Sequence, residues 1–297
     1  MATLRELKTR IGSVSSSEKI TGAMKMISSA KVHKNEQALR RLLPYKNQIR
    51  SVMGHLVGTD ANFYSPLMEE REMKRVGVVV FGSDDGLCGA YNINIFKALM
   101  IFIDKLQTQH PGAEIEVIPV GKKMSKAVKR TALAGIEVRE PQGVDSKMEA
   151  GAVNEFTHTL RRRFLDKELD KVCVVYMQFH SMSRQRPAMD QLFPVDAEAV
   201  KGQATDIPAK PENELYIFEP DANTIFSAVL PMFVLSTMQE ITIENRASEQ
   251  AARVMAMQSA NDNARKLLDS LRLEYNKLRQ QSITTELLDI LGGQVER

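Results

Sequence analysis

The stretch from Met232 to Leu291 holds sixty residues with neither Gly nor Pro, and it reads as one very long helix. At about 1.5 Å of rise per residue it would span roughly 90 Å, two to three times the diameter of a small domain. Most of it must therefore project beyond any core that 297 residues can build. Ordinary globular helices run about 8–20 residues, which argues against a buried core helix. One set of positions recurs at alternating steps of four and three, beginning Ile243, Ala247, Gln250, Val254, Met257, Asn261 and ending at Leu278. All but Gln250 and Asn261 are apolar, so the run carries a coiled-coil seam with two polar breaks. Between Ser248 and Ala264 small and flexible side chains predominate, which makes a narrow cylinder rather than an adhesive one. Ile283, Leu287, Leu288, Ile290 and Leu291 form an apolar tip that needs a partner, and Gly292-Gly293 is expected to stop the helix.

The chain also opens on a long helical pattern. Leu4, Leu7, Ile11 and Val14, then Ile20, Met24, Ile27 and Ala30, then Leu39, Leu42 and Leu43 keep three-to-four spacing, with Gly12 and Gly22 as weak points and Pro44 as a kink or end. Ile49, Met53, Leu56 and Val57 extend it to Gly58. Stripes this thin do not hold single helices, and pairing the two as an antiparallel coiled coil is the simplest arrangement. Closing a disordered loop of about 170 residues between them would cost roughly 4–5 kcal/mol, and a folded insert with neighbouring ends reduces that.

The insert has the pattern of a fold. Lys74–Gly82, Glu114–Val120, Ile136–Arg139 and Lys171–Phe179 read as strands. Helical stretches over Ile93–Gln107 (introduced by Asn92), Lys122–Ala134 and Lys147–Lys167 alternate with them. That alternation predicts a parallel, doubly wound, Rossmann-like α/β sheet. Arg184–Val195 follows as an edge strand, then a loop from Ala197 to Glu214 and a short strand at Leu215–Phe218. Glu219-Pro220-Asp221 is expected to cap the long helix, and Pro231 to break it. The domain reading is an N-terminal shaft helix over 1–58, an inserted α/β domain with linkers over 59–214, and a foot strand with the C-terminal shaft helix over 215–297.

Several function classes are disfavoured. A nucleotide loop after the first strand would need G-x-G-x-x-G or a terminal Gly-Lys-Ser/Thr. Gly82-Ser-Asp-Asp-Gly86-Leu-Cys-Gly89 has glycines four and three apart, and Asp84 and Asp85 would repel a phosphate. Gly121-Lys122-Lys123 lacks the upstream glycine and the following Ser/Thr. Cys88 has no His or Asp tied to it by spacing. The two cysteines and five scattered histidines suggest no disulfide framework, no metal site and no cofactor. Residues 1–50 carry eleven Lys or Arg against three Glu, a basic arm that implies an acidic partner. With Tyr45 as its single aromatic, nucleic acid is not that partner. No apolar run approaches the roughly 18 residues of a membrane span and the start has no apolar signal core, so a soluble cytosolic protein is expected, without direct membrane insertion.

Four segments in order, Ile20-Thr-Gly-Ala-Met-Lys-Met-Ile27, Asp85-Gly-Leu-Cys-Gly89, Ala247-Ser-Glu-Gln-Ala-Ala-Arg253 and Tyr275-Asn-Lys-Leu-Arg-Gln-Gln-Ser-Ile-Thr-Thr-Glu286, resemble the signature segments of the gamma subunit of F-type ATP synthase. The resemblance covers essentially the whole chain. It implies a non-catalytic rotor whose paired helices sit in the bore of a hexamer of alpha and beta subunits. The α/β domain would lie beside the epsilon subunit on the membrane ring of c subunits, peripheral to the cytoplasmic face of a bacterial inner membrane. It further implies beta-subunit contacts at Met24, Lys25, Arg253, Arg279, Gln280, Thr284 and Glu286, a bearing at the apolar tip, and a foot at Tyr216, Phe218 and Glu219. The chain departs from the family at Gly22, where Lys is common, and at Asp85, where Arg is common. Residues 197–214 hold no Cys, so the thiol switching of plastid members is not expected. The alternative from another class is an α/β nucleotide-binding enzyme with coiled-coil arms.

Overall fold

The computed structural model describes residues 3–57, 63–131, 136–196 and 218–295. The chain divides into two compact units, Met1–Ser29 with Arg253–Arg297, and Ala30–Ala252. Boundaries at 58 and 215 follow helix ends and loops, whereas these units follow packing, because the inner turns of both long helices are built into the α/β core.

The N-terminal helix α1 runs unbroken from Leu4 to Val57 and the C-terminal helix, here α5, from Ala222 to Val295. Three expected stops do not end a helix: Pro44 and Pro231 lie inside helices, and α5 runs on past Gly292-Gly293. A proline in a helix interior removes a hydrogen bond and crowds the preceding turn, at a cost of about 3 kcal/mol. Here the flanking turns carry buried side chains, Ile49 and Met53 beyond Pro44 and Leu230 and Phe233 around Pro231, and this packing holds each helix through its proline. The start of α5 is capped as expected: Asp221 accepts from the Thr224 N–H at 2.8 Å and from its hydroxyl at 2.6 Å.

Between the long helices the order is β1 (Arg75–Phe81), α2 (Tyr91–Gln109), β2 (Glu114–Val120), α3 (Lys122–Thr131), β3 (Ile136–Val138), α4 (Ala150–Leu165), β4 (Lys171–Ser181) and β5 (Arg184–Phe193). The strands form one sheet in the order β3-β2-β1-β4-β5. All neighbouring pairs are parallel except the β4–β5 hairpin. The Val-rich centre of β1 is buried on both faces, as parallel strands covered by helices on each side require. Val76, Val78 and Val80 pack with Ile95, Leu99 and Ile103 of α2. Val79 and Phe81 face the other way, toward Phe156, Leu160 and Phe164 of α4 together with Ile49 and Met53 of α1 and Phe226 and Leu230 of α5. The rings of Phe164 and Phe193 stack at 5.2 Å, with the Arg71 guanidinium 4.8 Å from the Phe164 centroid. Arg163, next to Phe164 on α4, makes a bidentate pair with Glu116 at 2.8 and 2.7 Å, a buried ion pair whose donors and acceptors match.

One expectation about membranes needs correction. Over an 18-residue stretch α5 is long and apolar enough to cross a bilayer by length and composition; Ala222–Gln239 carries no charged residue. The composition has a second cause in this fold, since Phe226, Leu230, Phe233, Val234 and Met238 of that stretch are core residues of the α/β unit. The expected strand at 215–218 lies outside the described residues except Phe218, which is not in a strand and packs against the same core.

Candidate functional site

In a sheet of order 3-2-1-4 the connections reverse direction between β1 and β4, and ligands of open α/β sheets bind at the carboxyl ends of the strands at that point. In this chain α5 fills the place. Just beyond the last β1–β4 pair, Val80↔Val175, the Met177 N–H donates to Asn245 Oδ1 at 3.3 Å, and its carbonyl accepts from the Ser248 hydroxyl at 2.9 Å. Tyr91, the first residue of α2, donates to the same Asn245 Oδ1 at 2.7 Å. Asn245 and Ser248 are 1% and 0% exposed, and they act as the missing strand neighbour of Met177. Neither was singled out by sequence reasoning.

The loop after β1 is satisfied from within. The Asp84 carboxylate accepts from the N–H of Lys122 at 2.9 Å, at the start of α3, and from the N–H and hydroxyl of Ser146 at 3.1 and 2.8 Å. An anion belongs at a helix N-terminus, and Asp84 is that anion, so the residue expected to repel a phosphate instead takes its place. Asn92, expected to introduce α2, makes no cap; its amide accepts from the Ser83 N–H at 3.1 Å and donates to the Ser83 hydroxyl at 2.7 Å. Gly82 and Gly121 allow the two strand ends to meet: a Cβ on Gly82 would lie 2.5 Å from that of Met124, and Gly121 has φ +103. Cys173 is buried in β4 and its thiol is pushed up to about 11 by that burial, which keeps it neutral and unreactive. Among the described residues no group of His, Cys, Asp and Glu could hold a metal ion.

The helical unit presents the opposite chemistry. Along α5 the expected seam is borne out, with Val254, Met257, Asn261, Leu268 and Leu271 buried. Along α1 the stripe holds at Leu7, Ile11, Val14 and Met24 and again from Leu39 to Leu56, and needs correction at Ile20, Ile27 and Ala30. Counting strictly in steps of four and three from Leu7 leads through Ile11 and Val14 to Glu18, Thr21, Lys25 and Ser28, and these are the positions turned inward. The apolar residues Ile20 and Ile27 are 60% and 56% exposed. Sequence reasoning followed hydrophobicity where the helix follows its period. The pairing is antiparallel and polar at this level: the Asn261 amide donates to the Glu18 carbonyl at 2.7 Å, and Arg265 donates to the Glu18 carboxylate at 3.0 Å. Gly22 sits against the same amide, where a Cβ would come within 3.3 Å of the Asn261 nitrogen.

The residues anticipated for partner contact fall into distinct settings. Arg279, Gln280, Thr284 and Glu286 are exposed along the last turns of α5, Met24 and Lys25 are half-buried on α1, and Arg253 is buried. Ile283, Leu287, Leu288, Ile290 and Leu291 are all between 48% and 63% exposed, an apolar helix end held up to solvent. Glu219 is exposed and Phe218 half-buried, while Tyr216 lies outside the described residues.

A doubly wound sheet with its ligand crevice plugged by its own helix, combined with an antiparallel pair of exceptionally long helices, defines a class of architectural α/β proteins rather than a nucleotide enzyme. A family model described as ATP synthase matches residues 3–295. Proteins named ATP synthase gamma chain are similar over full length. That of Phocaeicola vulgatus is 39% identical over 300 residues covering 99% of both chains, and that of Bacteroides thetaiotaomicron is 37% identical over 302 residues covering all of both. The chain belongs to the ATP synthase gamma chain family. The fold is shared with a chain of the Euglena gracilis mitochondrial ATP synthase (TM-score 0.62, 21% identity, 98% of this chain and 93% of that one). It is shared too with a chain of the Tetrahymena thermophila central stalk and c-ring (TM-score 0.55, 19% identity, 81% and 99%). Members of the family are central-stalk subunits of rotary ATP synthases and work as non-catalytic parts of that complex.

Proposed function

We propose that the helical unit is the rotor shaft that turns inside a ring of alpha and beta subunits, and that the α/β unit is its base against the epsilon subunit and the c-ring, peripheral on the cytoplasmic face of a bacterial inner membrane. The observation that carries this reading is the exposed apolar tip, five large side chains on one helix end. Exposed apolar clusters of this kind mark interaction sites, and a ring-shaped apolar collar would cover them on all sides while leaving rotation free. Below the tip, Arg279, Gln280, Thr284 and Glu286 offer charge-assisted hydrogen bonds to beta. Met24 and Lys25 stand on α1 between the exposed Ile20 and Ile27, suited to an acidic partner with an apolar border, and Arg253 of α5 is a further beta contact in this reading. Tyr216, Phe218 and Glu219 form the proposed foot on the c-ring. The plugged crevice supports the absence of any nucleotide in the α/β unit.

The test is assembly. Co-expressed with its own alpha and beta subunits, one copy of the chain is expected per six-subunit ring, with ATP hydrolysis in the complex and none by the chain alone. Truncation after Leu278 is expected to weaken coupled ATP synthesis; unchanged synthesis sinks the bearing and contact assignments. Tight nucleotide binding by the isolated chain would favour the enzyme reading instead.

A further inference from the structure

Every charged side chain of α3 is a cation: Lys122, Lys123, Lys126, Lys129 and Arg130, with no carboxylate on the helix. All five are exposed, while the apolar side, Met124 and Val128, belongs to the buried core. The arrangement works against the helix. Lys122 and Lys123 stand in its first turn, where the dipole disfavours cations. Lys126 is four residues from both Lys122 and Arg130, a spacing at which like charges repel. On α4, by contrast, Arg162 and Arg163 lie in the last turn, where cations are stabilising.

The neighbouring carboxylates do not absorb this charge. Beside α3 a cavity of about 490 Å³ is lined by Lys122, Lys126, Lys129 and Arg130 together with Asp84, Glu140 and Asp145. Asp84 accepts from the Lys122 and Ser146 N–H groups and the Ser146 hydroxyl. Glu140 pairs with Lys129 at 2.8 Å and accepts from the Ser125 hydroxyl. Asp145 accepts from the Lys147 N–H at 2.8 Å. Five cations face three carboxylates, and among the described residues Lys129 alone of the five forms an ion pair.

We propose that α3 is a docking ridge for an acidic polypeptide segment of another subunit. Lys122, Lys126 and Arg130 follow one another every four residues, about 6 Å of rise per step. A segment that presents Asp or Glu at that period, as a helix does at i and i+4, meets all three at once. A single small anion reaches one step of the row and leaves the rest unneutralised. A membrane fits less well, because the exposed arc carries no large apolar side chain to enter it. The ridge belongs to the α/β unit, and its assignment rests on that unit and on the family, not on the rotor reading of the helical unit.

The experiment compares lysine acetylation in the isolated full chain and in the purified ATP synthase that contains it, with zero-length carbodiimide coupling of the same complex. Both are read by mass spectrometry. Lys122 and Lys126 are expected to react roughly two- to fivefold more slowly in the complex, the range of an exposed ion pair, with the protection fading as salt rises. Coupling is expected to join them to an Asp or Glu of another subunit, and Lys126→Gln with Arg130→Gln to lower the yield at Lys122. Equal acetylation in both states, with coupling only inside the chain, overturns the proposal. Binding of the isolated chain to phosphatidylserine vesicles that the double variant loses, without coupling to a subunit, assigns the ridge to a membrane and overturns it as well. These readouts are confined to α3, so a failed ridge leaves the assembly test of the rotor reading untouched.

Discussion

In the α/β unit, Met53, Leu56, Phe226 and Leu230 of the two long helices are buried among side chains of the sheet and of α4. In the helical unit, residues of the same two helices meet along a seam one residue wide, where Leu268 and Leu271 are buried while Leu267 and Leu273 stand exposed beside them. The first region is held by apolar area removed from water on several sides at once. The second is held by a narrow apolar line and by hydrogen bonds such as Asn261 to Glu18. The same secondary structure therefore serves two purposes. The α/β unit resists deformation through its core, and the helical unit keeps most of its circumference exposed.

Substitutions should separate the two regimes. Phe164→Ala in the α/β unit removes a fully buried ring together with its stack on Phe193 and the Arg71 contact, and is expected to cost about 3–5 kcal/mol. Denaturant titration of the full chain reads this as a shifted midpoint, and a loss under about 1 kcal/mol would place the core elsewhere. Leu268→Ala in the helical unit is expected to cost about 2 kcal/mol, the low end for a buried leucine, because the seam borders solvent. Hydrogen exchange should localise that effect to residues near 254–271 and leave β1 and β4 protected; loss of protection across the sheet would contradict the division into units.

Asn261 tests register rather than strength. Asn261→Ala is expected to cost about 1 kcal/mol through the lost bond to Glu18. Asn261→Leu should match or exceed wild-type stability while permitting the helices to slip, since a polar seam residue specifies alignment at the expense of stability. Cysteine cross-linking between positions 18 and 265 distinguishes them: efficient closure with Asn261 present, and a lower yield in the leucine variant as slipped registers separate the pair. The smallest effect is expected for Glu18→Gln, which removes the partner of the largely exposed Arg265. It should cost less than about 1 kcal/mol and vanish at high salt.

How far the candidate site was legible can be judged from individual residues. The apolar tip was visible because five large side chains cluster within nine positions of a run without Gly or Pro, and no local rule of sequence could bury them. The α5 seam was visible because its hydrophobicity and its period agree. On α1 they disagree after Val14: the period selects Glu18, Thr21, Lys25 and Ser28, while hydrophobicity selects Ile20 and Ile27, and burial follows the period. The closure of the crevice by Asn245 and Ser248 could not be read at all, because Met177 lies about seventy positions away and a lone Asn or Ser carries no pattern.

By itself the sequence determined the alternation of strands and helices, the two long helices and the family, since each rests on local periodicity or on motifs contiguous in the chain. Only the tertiary structure decided that Pro44 and Pro231 are carried inside helices, that Asp84 is the anion at the start of α3, and that Asn245 and Ser248 close the crevice beside Met177. A proline inside a helix costs about 3 kcal/mol, and packing of the surrounding core outweighs it. Which distant polar groups satisfy one another is settled by the geometry of the folded chain.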